Sequence, residues 1–130
     1  MIIDSSALIA ILRAEPEAPD MARALVEAAD RRLSAANFVE VGAVIDGAAD
    51  PVASGRYDDL LRAAHITIVP VTEAQARLAR QAYRDFGKGS GHPARLNFGD
   101  CLAYALAKEL SEPLLFKGDD FVHIDAMAAR

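Results

Sequence analysis

Four acidic residues stand in apolar surroundings where a strand is expected to give way to a helix. They are Asp4 in MIIDSSALIAIL, Glu40 in SAANFVEVGAVI, Asp100 in LNFGDCLAYALA and Asp119 in PLLFKGDDF. No basic residue sits beside the first three. If the strands run parallel, these junctions share one edge of the sheet and the carboxylates converge. Two carboxylates about 5 Å apart at an effective dielectric of about 20 repel by roughly 3 kcal/mol. A group of them therefore needs a proton on one member or a cation in its midst. Oxygen-only donors suit Mg2+ or Mn2+ better than zinc. Such a cation, with room for water, suits hydrolysis of a phosphodiester.

Taken singly, each acid also has an ordinary structural reading. Asn37-Phe-Val-Glu40 and Asn97-Phe-Gly-Asp100 both have the form of a cap followed three residues later by an acid, and Asp4 and Asp119 are suitable caps themselves. The joint pattern carries more weight, because parallel α/β sheets bind ligands beyond the carboxyl ends of their strands. Glu40 is the least ordinary of the four. Its neighbours are apolar, and no lysine or arginine lies within a helical turn on either side. If it faces inward it needs a partner, since burying a lone carboxylate is costly.

The elements that would position these acids alternate between two periods. Met1–Asp4 reads as a short buried strand, followed by a helix from Ser5 to about Arg13. Pro16 and Pro19 interrupt the pattern, and Asp20 to Ala29 resumes it as an amphipathic helix. Leu33–Ala35 is a weak strand; helical spacing covers Asn37 to about Gly47, and Pro51 starts a further helix. Ile66–Val71 is the clearest strand by β-branched content. Thr72-Glu-Ala-Gln75 has the form of a capping box and opens a helix to about Phe86. After the glycine-rich basic loop Gly87–Asn97, the pattern predicts a helix to about Leu110, a strand at Leu114–Phe116 and a short last strand near Val122–Ile124. Alternation of this kind indicates a three-layer α/β/α sandwich with a mostly parallel central sheet.

At 130 residues, the chain is read as a single domain over 1–130. No apolar run reaches the roughly 20 residues of a membrane span. The apolar start lacks a basic leader region and is interrupted by Asp4, and Cys101 is the sole cysteine, so a cytoplasmic protein is expected. The net charge of −5 argues against broad, non-specific nucleic-acid binding, whereas 11 arginines against 3 lysines suit bidentate contacts to phosphate.

At the four acids the sequence resembles the PIN-domain ribonucleases, specifically VapC-type toxins of bacterial toxin–antitoxin pairs. The resemblance spans essentially the whole chain. It rests on MIIDSSALIAIL, the acid within FVEVGAVI, the block GHPARLNFGDCLAYALAK and the ending PLLFKGDDF. It implies a PIN-like fold in which Asp4, Glu40 and Asp100 hold Mg2+ or Mn2+ directly or through water. The fourth acid is taken as Asp119, which comes sooner after the strand, with Asp120 as the alternate. Ser6 matches the small hydroxyl residue that follows the first acid, which implies a hydrogen bond to a carboxylate or a metal-bound water; the alternative is an ordinary first-turn residue of the helix. The implied chemistry is endonucleolytic hydrolysis of RNA, transfer RNA or another structured RNA, by metal-activated water. The implied partners are a VapB-type antitoxin that inhibits the enzyme and a second copy in a homodimer.

Lys88, His92 and Arg95, in the loop before Asp100, and Arg13 are candidates for holding RNA; the alternative for the loop is a flexible, solvated connection. His65, His92 and His123 lack metal-ligand spacing. Cys101 has core spacing, so a catalytic thiol is not expected. A haloacid-dehalogenase-type phosphatase would need an aspartate where Ser6 stands, and Lys117 supplies only half of a receiver-type pattern. The remaining alternative is a catalytically silent module whose acidic pocket captures a basic peptide.

Overall fold

A computed structural model describes all of residues 1–130. At its centre lie four short strands, β1 (Ile2–Ile3), β2 (Arg32–Ser34), β3 (Thr67–Val69) and β4 (Leu114–Leu115). They form one sheet in the order β3-β2-β1-β4, with every pair parallel. Six helices surround it: α1 (Ser5–Leu12), α2 (Ala18–Glu27), α3 (Ala35–Asp46), α4 (Pro51–Ala63), α5 (Glu73–Phe86) and α6 (Phe98–Leu110).

The period of two along the central strands divides the core. Ile2 pairs with Leu114 and Ile3 with Leu115. The first pair is buried with Ala79 and Ala82 of α5 and the inner residues of α6. The second is buried on the opposite face with Ala7 and Leu8 of α1, Met21 and Leu25 of α2, Val41 and Ile45 of α3 and Tyr57 of α4. Successive side chains point to opposite faces of a strand, so a sheet covered on both sides reads as an unbroken apolar run. This is the expected α/β/α sandwich. Helix α6 is buried without interruption from Gly99 to Ala107, and Asp100 is carried into the interior with it.

The helix starts explain much of the local chain direction. Asp4 caps α1, Ser34 caps α3, and Asp50 followed by Pro51 opens α4. Asn97 and Asp100 cap α6 reciprocally, each side chain accepting from the other's backbone N–H, at 2.8 and 3.0 Å. Thr72 caps α5 through the Gln75 N–H. The return bond of a full capping box is not made, because the Gln75 amide turns into the core, where its Oε1 has no partner.

Four expectations are corrected. Asn37 is not a cap: α3 begins earlier, at Ser34, and Asn37 is a fully buried residue of its first turn. No strand forms near Val122–Ile124; turns there lead to a single bridge between Ala128 and Leu114, while Phe121 anchors the segment by packing on Phe116 at 5.0 Å. Ile66–Val71 contributes only Thr67–Val69, because β3 is the sheet edge and its Ile68 stays 40% exposed. The Gly87–Asn97 loop is built rather than loose. Gly87 bridges Leu96, Ala94 and Leu96 are buried, and His92 packs edge-on against Phe86 at 4.9 Å. No helix is long and apolar enough to cross a membrane.

Candidate active site

Asp4 leaves the carboxyl end of β1, between β2 and β4, and its backbone N–H donates to Leu115 O at 2.9 Å. As N-cap of α1 its Oδ2 accepts from the Ser6 N–H at 3.0 Å and the Ser6 hydroxyl at 2.6 Å. Ser6 Oγ in turn accepts from the Lys117 N–H at 2.9 Å, tying the chain beyond β4 to the same carboxylate. A cap needs one carboxylate oxygen. The other, Oδ1, is buried without any hydrogen-bond partner.

Asp100 enters from the opposite layer, on the first turn of α6. Its Oδ2 is engaged by the capping box, and the residue is 6% exposed. Glu40 reaches the same region from the second turn of α3, one turn further along than a strand-to-helix junction would place it. Its carboxylate lies directly against the Cα of Gly99, beside Asp100. Between them the buried Asn37 donates from Nδ2 to Ser5 Oγ at 3.1 Å, Gly99 O at 3.0 Å and Glu40 Oε1 at 3.4 Å.

Asp119 and its alternate Asp120 both lie on the turn that follows β4. The charge of Asp120 bears on both Asp4 and Asp100. Gly118 turns the chain at φ +92°, and the Asp119 carbonyl accepts from the Val122 N–H.

Electrostatics marks these groups as unusual. Burial pushes Asp4 up to about 6 against the opposing hydrogen bonds from Ser6, and the charges of Glu40 and Asp120 add to the rise. Asp100 is also held well above the usual carboxylate range, first by burial, then by the charge of Asp4 and by the hydrogen bond and charge of Asp120. The twelve ion pairs of the chain all use other acids, so neither lysine nor arginine neutralises the cluster. Burial, and then the charge of Asp100, pushes the Cys101 thiol up to about 12, which removes it as a nucleophile at neutral pH.

A hard cation fits this chemistry: oxygen donors only, a buried unpartnered carboxylate oxygen, and mutual repulsion that binding would relieve. No three or more His, Cys, Asp or Glu side chains are pre-assembled at ligand spacing. Mg2+ fits such an open arrangement, since it keeps several waters and takes only one or two carboxylates directly.

The expected RNA contacts divide. Lys88 and Arg95 are exposed on the loop leading into α6 and form no ion pair, while the half-buried His92 uses Nδ1 to accept from the Ala94 N–H and is a loop-building residue. Arg13 is not brought to the cluster. It ends α1 at the pole away from Asp4, beside a cavity of about 130 Å³ shared with Arg56 and Val44. Nothing in the local sequence marks Ser5 and Gly99 as parts of the site. For Asn37 the signal is its spacing from Glu40, which puts both on one face of a helix.

Residues 1–127 match the model of the PIN domain. Ribonuclease VapC28 of Mycobacterium tuberculosis is 58% identical over 129 residues, covering 99% of this chain and 97% of the relative. Among solved structures, a toxin–antitoxin complex from Klebsiella pneumoniae superimposes with a TM-score of 0.72 at 17% identity, over 99% of this chain and 97% of that one. The M. tuberculosis sarcin–ricin-loop-cleaving toxin VapC20 gives 0.71 at 15% identity, over 93% and 92%. These two structures speak for the fold; the family and sequence matches speak for the lineage. The chain belongs to the PIN-domain family, among the VapC ribonucleases of toxin–antitoxin systems.

Proposed function

We propose that this chain is a Mg2+- or Mn2+-dependent endoribonuclease that cuts a transfer RNA or another structured RNA at the cluster formed by Asp4, Glu40, Asp100 and Asp120. The supporting observation is the buried, unpartnered Oδ1 of Asp4 in a group of acids that no basic side chain neutralises. The bound cation would activate a water for attack on phosphorus and stabilise the charge developing on the phosphate. The chain's own residues prepare the site for it. Ser6 fixes the Asp4 carboxylate, the Asn97 cap fixes that of Asp100, and both acids surrender protons when they become ligands. Lys88 and Arg95 supply exposed cations for the RNA backbone next to α6.

The reading extends to a VapB-type antitoxin that occupies the acidic groove and blocks cleavage, to a homodimer, and to action in the cytoplasm, where the RNA is. The test is incubation of the purified chain with an RNA pool under Mg2+ or Mn2+, followed by sequencing of RNA ends. A restricted set of new termini, absent with EDTA and in Asp4→Asn, supports the nuclease. No cleavage in either metal supports a silent module whose acids only receive a basic peptide.

A further inference from the structure

Glu40 poses a positioning problem that its own helix does not solve. It projects from α3 as a flexible side chain, yet its carboxylate must meet acids carried by β1 and α6. We propose that Asn37 and Gly99 together form a seat for the Glu40 carboxylate, which makes both of them positioning residues of the acid cluster. The proposal deepens the metal-dependent reading above and rests on it for its effect on catalysis.

Gly99 supplies the space. A Cβ at this position would collide with Oε1, Oε2 and Cδ of Glu40 at once. The backbone does not call for glycine here, because Gly99 lies within α6 and outside the positive-φ region. Its missing side chain is therefore a matter of room. The carboxylate fills that room against the first turn of α6, the positive end of the helix dipole.

Asn37 supplies the grip. Its single NH2 group faces three acceptors on three helices: Ser5 Oγ beside Asp4, Gly99 O beside Asp100, and Glu40 Oε1 on its own helix. The side chain is fully buried, and its Oδ1 has no partner in the chain. A residue chosen only to fill this space would not strand a buried acceptor, which costs stability. The amide instead links the segments bearing Asp4, Glu40 and Asp100 at one point.

The decisive variant is Gly99→Ala, because alanine is the better helix former and the nearest contacts of its Cβ all fall on a movable carboxylate. Thermal melting, Mn2+ titration calorimetry, RNA-cleavage kinetics and the Glu40 side-chain carboxyl 13C resonance would be compared with the parent chain. The seat predicts a metal-free melting temperature at or above that of the parent and a displaced Glu40 resonance. It also predicts Mn2+ affinity lower by roughly 10- to 100-fold, and a fall in kcat with KM for RNA little changed. Asn37→Leu should give the same loss of Mn2+ affinity; if that variant does not fold, Gly99→Ala carries the test alone. An unmoved Glu40 resonance with parental Mn2+ affinity and kcat in folded Gly99→Ala overturns the seat. Failure of the parent chain to bind Mn2+ would instead sink the metal-dependent reading, while the resonance in metal-free protein still decides whether the seat exists.

Discussion

The two ends of the sheet treat their acids in opposite ways. At the amino end, Asp30 and Glu112 each lie 3.0 Å from the Met1 amino group, and both also pair with Arg32. The hydrogen bond to the Met1 amino group holds Asp30 below its usual range. Burial opposes ionisation of Glu112, but the bonds from Met1 and Arg32 prevail and lower it too. At the carboxyl end, Asp4 and Asp100 are more deeply buried, have no cationic partner and are shifted upward. The same fold therefore saturates acids where they hold it together. The unsaturated set beyond β1 is not a by-product of putting carboxylates at strand ends.

Mutating one acid at each end gives the largest contrast. Asp4→Asn or Asp100→Asn should cut the RNA-cleavage rate by roughly 10³-fold, the equivalent of several kcal/mol of lost charge stabilisation. Each should also raise the melting temperature of the metal-free protein at a pH above the acid's raised folded value, where a repelled, desolvated charge is removed. Glu112→Gln should do the reverse, destabilising the fold by about 1–3 kcal/mol through loss of charged hydrogen bonds while the rate per folded molecule stays the same. Cleavage lost in Glu112→Gln at full stability would break the distinction between the two ends.

The pH dependence sharpens it. Asp4 and Asp100 bind protons more tightly folded than unfolded, so between about pH 4 and the folded values the native state holds more protons. Metal-free stability should then fall as pH rises through about 6, where Asp4 loses its proton, and continue to fall as Asp100 does. The paired Asp30 has the opposite sign: its stabilisation is present above its unfolded value and disappears as pH drops through its lowered folded value. Saturating Mn2+ should remove the decline at higher pH. Chemical denaturation across pH 2–9, with and without Mn2+, measures both slopes.

Smaller effects separate neighbours. Asp120→Asn should slow cleavage by roughly 10- to 100-fold, as for a supporting metal-site group, and Asp119→Asn by less than about twofold. Equal losses in the two variants would contradict Asp120 as the fourth acid of the proposed cluster. Lys88→Ala and Arg95→Ala should each weaken RNA binding and reduce its salt slope by about 1, with kcat unchanged.

Legibility in the sequence followed the range of the interaction. Asp4 after three apolar residues, the Asn97–Asp100 cap and the alternation of strands and helices are local patterns, and the structure contains all three. Asn37 and Asn97 carry the same N-x-x-acid pattern, yet only Asn97 caps, because Ser34 starts α3 a turn earlier. The contact of Glu40 with Gly99 joins residues far apart in sequence and left no local trace. The β-branched content of Ile66–Val71 reports propensity, whereas β3 is shorter because an edge strand needs few residues to close a sheet.

Calorimetric titration of Mn2+ into metal-free protein at pH 6, in two buffers of different ionisation enthalpy, addresses the unsaturated acids most directly. The structure predicts binding accompanied by proton release, and loss of both in Asp4→Asn. Binding without proton release, unchanged in Asp4→Asn, would show that the buried acids beyond β1 are not held open for a cation.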